Sequence, residues 1–194
     1  MWPWEHAAVG YLVYSLGLRA LARDPPGDRE AVALLVATQI PDLVDKPLSW
    51  VFGVFPTGYA LGHSAFVALP VGAAVLAAGR ARDRFRLGAA VVAGYWAHLA
   101  ADALNPIRAG GAPLFGRVLW PAVTGTPYEE DLGAGRGLAY FTEFVGSIAA
   151  LDPVTLLVGY LLLPLFTLAV WIRDGTPGLG PVRDAVGRWR RARD

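Results

Sequence analysis

The residues best suited to chemistry are a few histidines and aspartates set in otherwise apolar stretches. In "GYWAHLAADALN", residues 94–105, His98 and Asp102 are four positions apart, so a helix places them on one face about one turn apart. An imidazole nitrogen and a carboxylate oxygen at that spacing can chelate one divalent ion. The spacing alone is a weak signal, because Asp102 could also cap a helix end or pair with Arg108.

Three further ionisable residues are predicted at the same level of the molecule. His6 lies near the start of the first apolar segment, Asp42 follows the second in "IPDLVDKP", and His63 lies one turn into the third. Ionisable groups at such depth cost about 2.5–3.5 kcal/mol each on insertion scales and persist when they are paired, hydrated or bound to metal. The predicted ligands are His63, His98, Asp42 and Asp102, a set that suits Zn²⁺ and accepts Mn²⁺ or Fe²⁺. His6 is a fifth candidate ligand, a holder of a second ion bridged by Asp102, or a structural histidine.

The elements that position these residues are predicted to be membrane helices. The chain has 194 residues, of which 55% are hydrophobic and 17% charged, and its mean hydropathy is +0.42. A helix needs about 20 apolar residues to cross a bilayer. The sequence predicts an all-α, multi-span membrane bundle with interfacial helices on the outer side. Its five apolar segments cover about Trp4–Ala22, Glu30–Ile40, Tyr59–Gly79, Phe85–Leu104 and Pro153–Ile172. The second segment is short, and Pro41 is expected to end it.

The basic residues predict the orientation of this bundle. If every segment crosses, 13 of the 17 fall on one side, which the positive-inside rule makes cytoplasmic. They are Arg19, Arg23, Arg29, Arg80, Arg82, Arg84, Arg86, Arg173, Arg183, Arg188, Arg190, Arg191 and Arg193. The N-terminus and the metal-ligand candidates are then extracytoplasmic and the C-terminus is cytoplasmic. Residues 1–172 are predicted to form one membrane-embedded domain with an extracytoplasmic loop at about 105–152, and residues 173–194 a basic cytoplasmic tail.

The order of these motifs resembles a known family. The stretches "EHAAVGYLVYS", "QIPDLVDKP", "LGHSAFVALP" and "GYWAHLAADALN", followed by "VLWPAV", resemble the membrane-bound metal-dependent hydrolases, also described as LexA-binding, inner-membrane-associated hydrolases. The resemblance covers the chain to about residue 125. It implies an inner-membrane hydrolase whose signature residues here are His6, Asp42, His63 with Ser64, and His98 with Asp102, and it implies no particular substrate. Zinc-dependent phospholipase C is more distantly similar, but no histidine follows His98, so its complete three-metal site cannot be present.

The expected function is metal-dependent hydrolysis of a phosphoester or other ester in a lipid-like substrate. Membrane lipids are the expected partners, nothing in the sequence indicates nucleic-acid binding, and the oligomeric state stays open. Ser64 is expected either to orient a ligand or substrate or to cap a helix. The general base is left open among Asp45, Glu143 and Glu5, with Asp45 also interpretable as half of an ordinary loop pair with Lys46.

Other functions fit parts of the same pattern. A transporter or proton relay would explain the short second segment and its break at Pro41 as a discontinuous helix, and a structural metal site needs the same ligands. A lipid phosphatase of the PAP2 type would use Gly62–His63 and the pair His98/Asp102 without metal. It is ranked lower because no arginine stands shortly before His98 to hold a phosphate.

Overall fold

A computed structural model describes residues 1–21 and 24–191, and these form helices and turns with no strand. Arg23 and Arg193, counted above among the basic residues, lie outside the described residues. The helices are α1 Pro3–Leu21, α2 Asp28–Ala37, α3 Ile40–Trp50, α4 Ala65–Ala81, α5 Phe85–Leu104, α6 Arg136–Ala149, α7 Pro153–Leu156, α8 Leu162–Arg173 and α9 Gly180–Arg191. A π-helical turn, Leu157–Leu161, joins α7 to α8. The all-α prediction is therefore confirmed for the described part of the chain.

Two stretches in the described ranges are long and apolar enough to cross a membrane. They are Phe85–Ala109, which contains α5, and Pro153–Arg173, which contains α7 and α8. Helix α4 is apolar but has only 17 residues. Helix α1 has 19 residues but is not one of these two candidate membrane-crossing stretches. The structure thus supports membrane helices, whereas the predicted bundle of five spanning helices is not confirmed.

Two segment boundaries differ from the sequence prediction. Helix α4 begins at Ala65 and not near Tyr59, because Ser64 caps it: the Ser64 Oγ accepts the Val67 N–H at 3.4 Å. His63 therefore lies in the turn before the helix and not one turn inside it. Pro41 does not end a helix but lies in the first turn of α3, where the missing N–H of proline has no helical partner to lose.

Helix α3 consequently carries residues that were expected in a loop. Asp42, Asp45 and Lys46 all lie on this helix, so the interpretation of Asp45 and Lys46 as a loop pair is wrong. Lys46 instead pairs with Asp42 one turn earlier. The boundaries of α5 agree with the prediction at both ends, and Asn105–Ala109 continues from it as a 3₁₀ turn.

Helix α5 is central because it contacts α1, α2 and α4. Small residues let these helices approach closely. A Cβ added at Gly94 would lie 2.7 Å from the Leu34 carbonyl oxygen of α2, and one added at Gly10 of α1 would lie 2.5 Å from Thr38 Cγ2. This close contact sets His6, Thr38 and His98 side by side.

The end of α8 is tied to α1 through the buried Asp174. Tyr11, Ser15 and Arg19 follow one face of α1, and all three donate hydrogen bonds to the Asp174 carboxylate. Burial alone would raise the pKa of Asp174, but these hydrogen bonds and the Arg19 charge hold it below its usual value. The cluster fixes the second apolar stretch against the rest of the fold at the end away from His98.

Candidate metal centre

Four predicted ligands converge in one buried cluster. Asp42 comes from α3, His63 from the turn before α4, and His98 and Asp102 from the last two turns of α5. One nitrogen or oxygen atom of each lies within 4.8 Å of those of the others. His63 and His98 are fully buried, and Asp42 and Asp102 are 9% and 2% exposed. Segments far apart in sequence therefore deliver the two imidazoles and two carboxylates to one point.

The two histidines face each other through their Nε2 atoms, which are 3.1 Å apart. The His63 Nε2 lies 3.5 Å from Asp42 Oδ1 and 3.4 Å from Asp102 Oδ2. The His98 Nε2 lies 3.7 and 3.5 Å from the same two oxygens. Each carboxylate thus approaches both imidazoles.

The outer nitrogen of each imidazole is held by an acceptor outside the cluster. The His98 Nδ1 donates to the Thr38 carbonyl oxygen at 2.6 Å, and the His63 Nδ1 lies 2.8 Å from Asp45 Oδ2. A neutral imidazole that donates from Nδ1 has its lone pair on Nε2. Two lone pairs directed at each other across 3.1 Å repel unless a proton or a metal ion lies between them, and a hydrogen-bonded Nδ1 is typical of histidines that ligate metal through Nε2.

The donor set fits a divalent transition metal. Ligands about 2.0–2.2 Å from a tetrahedral Zn²⁺ are roughly 3.3–3.6 Å apart, close to the four histidine–aspartate distances of 3.4 to 3.7 Å. The Asp42 Oδ1 is buried and has no hydrogen-bond partner within the described chain. Two nitrogen and two oxygen donors suit Zn²⁺ and accept Mn²⁺ or Fe²⁺.

Asp45 orients His63. Besides the His63 ring, the Asp45 carboxylate accepts the backbone N–H groups of Ala60, Gly62 and His63 at 2.8, 2.8 and 3.0 Å. Burial alone would raise the pKa of Asp45, but the hydrogen bonds from His63 and these amides lower it. A carboxylate engaged in this way is poorly placed to act as the general base, and we assign it a positioning role. The sequence signal that could have indicated this role is the spacing of Asp42 and Asp45, which are three residues apart on α3.

His6 lies beside the cluster, as predicted, but outside the group of four. Its ring is fully buried and stacks on the His98 ring at 3.8 Å. The His6 Nε2 is 3.3 Å from Asp102 Oδ1, and neither ring nitrogen has a hydrogen-bond partner among the described residues. Its role as a ligand stays a prediction.

The other candidate residues have structural partners or lie on the surface. Ser64 caps α4 and donates to the Trp120 carbonyl oxygen, which favours the capping interpretation. Glu5 is buried and pairs with Arg108, so the alternative pairing of Arg108 with Asp102 is wrong. Glu143 is exposed on α6.

Two groups that contact the cluster were not predicted from the sequence. The Thr38 carbonyl carries no sequence signal, because every residue has one. The Lys46 ammonium pairs with Asp42 Oδ2 and was missed because α3 was not predicted as a helix. The Thr38 carbonyl supports His98 from outside the cluster, and Lys46 lines the cavity that reaches Asp42.

A cavity of about 440 Å³ reaches the cluster at Asp42. Its polar lining consists of Gln39, Asp42 and Lys46, and its apolar lining includes Leu43 and Trp50. Leu43 is 66% exposed. The cavity therefore joins an apolar surface to one carboxylate and one cation.

Comparison with known proteins agrees with a membrane location and names no activity. The matching family is described as "YdjM inner membrane protein", and the match covers residues 1–174. No curated protein and no solved structure matches the chain. The family description and the two apolar stretches support an inner-membrane protein. The chain belongs to the YdjM inner membrane protein family.

Proposed function

We propose that this chain is a membrane-bound hydrolase that depends on a divalent metal ion, with Zn²⁺ preferred over Mn²⁺ or Fe²⁺. The ion is held by Asp42, His63, His98 and Asp102. The observation that carries the proposal is the pair of buried Nε2 atoms 3.1 Å apart between two carboxylates, with both Nδ1 atoms engaged from outside. Hydrogen bonding alone accounts for it only if one ring is protonated, and a single Nε2 proton would serve one facing acceptor, whereas a divalent ion would contact both nitrogens and both carboxylates.

A divalent ion bound by these four residues, with water as a fifth ligand, would supply Lewis acidity to activate that water near neutral pH and to polarise a phosphoryl or acyl oxygen. The residues of the chain hold and orient it. Asp45 and the Thr38 carbonyl fix the two imidazole rings, while burial keeps bulk water out. Lys46, beside Asp42 at the cavity, offers a positive charge to an anionic substrate oxygen.

The proposed substrate is a phosphoester or other ester of a lipid-like molecule. Three features support it. The family is one of inner membrane proteins, the cavity has an apolar lining that includes Leu43 and Trp50, and its cation lies next to the cluster. Membrane lipids are the partners that follow from this proposal.

Metal analysis combined with a hydrolysis assay tests the proposal. The purified protein should contain about one transition-metal ion per chain and hydrolyse bis(p-nitrophenyl) phosphate or p-nitrophenyl butyrate in detergent. His98→Ala and the nearly isosteric Asp102→Asn should lose both metal and turnover. The exposed Glu129→Gln is the control and should keep both. Size-exclusion profiles and circular dichroism show that the variants fold.

Three outcomes would overturn the assignment as a metal-dependent hydrolase. Bound metal without turnover of any ester probe would indicate a structural site. Turnover by metal-free protein would favour the PAP2-type route. Flux of Zn²⁺ or protons through proteoliposomes, abolished by His98→Ala, would favour transport.

A further inference from the structure

A second polar site lies at the opposite end of α5 from the metal centre. A pocket of about 740 Å³ opens where the start of α2, the end of α4 and the start of α5 meet. Its charged lining consists of four arginines and two acidic residues: Arg29, Arg80, Arg84, Arg86, Glu30 and Asp83. The proposed hydrolase function uses none of them.

Among the described residues, only one of the four arginines has an acidic partner. The Arg86 guanidinium binds Glu30, with Nε 3.0 Å from Oε1 and Nη2 3.1 Å from Oε2. The side chains of Arg29, Arg80 and Arg84 make no hydrogen bond or ion pair with any described residue. Asp24 also lies near Arg86, with its Oδ2 3.7 Å from Arg86 Nη1, and Asp83 is the remaining acidic residue of the lining. The pocket therefore has an excess of positive charge with unused donors.

The start of α5 adds backbone donors to the same pocket. Phe85, Arg86 and Leu87 line it and occupy the first turn of the 20-residue helix, where amide N–H groups have no partner within the helix. Arg84, at the N-cap position, provides no side-chain cap. Free amides and the positive end of the helix dipole favour an anion, and guanidinium groups bind phosphate in particular.

The position of the pocket identifies the source of the anion. Arg86 and Asp102 are 16 residues apart on α5, which corresponds to about 24 Å along the helix axis, against a bilayer hydrocarbon core of about 30 Å. The apolar stretch between them is one of the two able to cross a membrane. Phe85, at the pocket edge, is 50% exposed. The pocket thus lies about where lipid headgroups lie, on the face opposite the metal centre.

We infer that this pocket binds the phosphate group of an anionic phospholipid through Arg29, Arg80 and Arg84 and the first amides of α5. Basic pockets between membrane helices bind anionic headgroups by the same chemistry. The inference is independent of the metal and of hydrolysis.

Lipid titration of the detergent-purified full chain tests it. Dioleoyl phosphatidylglycerol should raise the melting temperature and remain bound in native mass spectrometry, whereas dioleoyl phosphatidylcholine should not. The triple variant Arg29→Gln/Arg80→Gln/Arg84→Gln should bind phosphatidylglycerol on the order of 10- to 100-fold more weakly. The single variant Arg84→Gln should show a smaller loss in the same direction and guards against misfolding of the triple variant.

The chain offers a control with the same change in charge. Arg82→Gln/Arg188→Gln/Arg191→Gln removes three exposed arginines that do not line the pocket, and it should keep wild-type affinity. The inference is overturned if both triple variants lose affinity equally, or if phosphatidylcholine binds as well as phosphatidylglycerol. It is also overturned if inorganic phosphate stabilises the protein while phosphatidylglycerol adds nothing, which would make the pocket a site for a free anion.

Discussion

At the scale of single residues, the candidate metal centre depends on the acceptors that hold its histidines. The Thr38 carbonyl can only accept, so it places the proton of a neutral His98 on Nδ1 and the lone pair on Nε2. Asp45 does the same for His63 and adds a negative charge, which makes the imidazole a stronger ligand. His63 should therefore be the ligand most sensitive to changes outside the cluster.

The variant Asp45→Asn tests this dependence. The amide keeps one acceptor but loses the charge and cannot accept all three backbone N–H groups together with His63. Zn²⁺ affinity should fall about 10- to 100-fold, measured by competition with a chromophoric chelator. Asp131→Asn is a matched control, because Asp131 also accepts a backbone N–H, from Gly133 at 3.0 Å, but is exposed and lines neither the cluster nor its cavity. Equal affinities for Asp45→Asn and wild type would show that Asp45 is not needed to position His63.

The types of the ligand residues could be predicted from sequence, but not all their supports. Asp42, His63, His98 and Asp102 stand out because ionisable groups are costly in apolar surroundings. Asp45 resembled a loop residue, since Pro41 was expected to end a helix and instead starts one. The hydrogen bond from Ser64 to the Trp120 carbonyl could not be predicted, because the two residues are 56 positions apart in sequence.

At the scale of elements, the cluster exists because α1, α2 and α5 pack closely. Gly94 lies one turn before His98, where the Leu34 carbonyl of α2 leaves no space for a Cβ. Helix α2 ends next to Thr38, and the Thr38 carbonyl accepts the hydrogen bond from His98 Nδ1. Any change that separates α2 from α5 should then also release the His98 ring.

The variant Gly94→Ala should disturb both packing and metal binding. Its Cβ would lie 2.7 Å from a backbone oxygen, so α2 must shift, at a cost of about 1–3 kcal/mol for overpacking. We expect a lower melting temperature and at least a tenfold loss of Zn²⁺ affinity. Gly17→Ala in α1 is the control: nothing lies within 4 Å of an added Cβ there, so stability should be unchanged or higher. Wild-type affinity in Gly94→Ala would mean that α2 does not position His98.

At the scale of the whole molecule, charged sites occupy the two ends of α5 and an apolar body separates them. The candidate metal centre lies at the end of this helix and the basic pocket at its start. The sequence predicts the polarity of this arrangement through the positive-inside rule. It could not predict how many helices cross, because α1 buries polar residues such as Glu5, His6 and Ser15 and α4 is apolar but has only 17 residues.

Orientation in the membrane can be tested by labelling single cysteines, since the chain contains none. Arg82→Cys lies in the turn between α4 and α5, and Ala112→Cys follows the 3₁₀ turn after α5; both positions are exposed. The arginine-rich turn should be cytoplasmic. A membrane-impermeant maleimide should therefore label Ala112→Cys in intact spheroplasts and Arg82→Cys only after the membrane is permeabilised. Labelling of Arg82→Cys first would invert the topology and place the metal centre on the cytoplasmic face, while labelling of both in intact cells would show that α5 does not span the membrane.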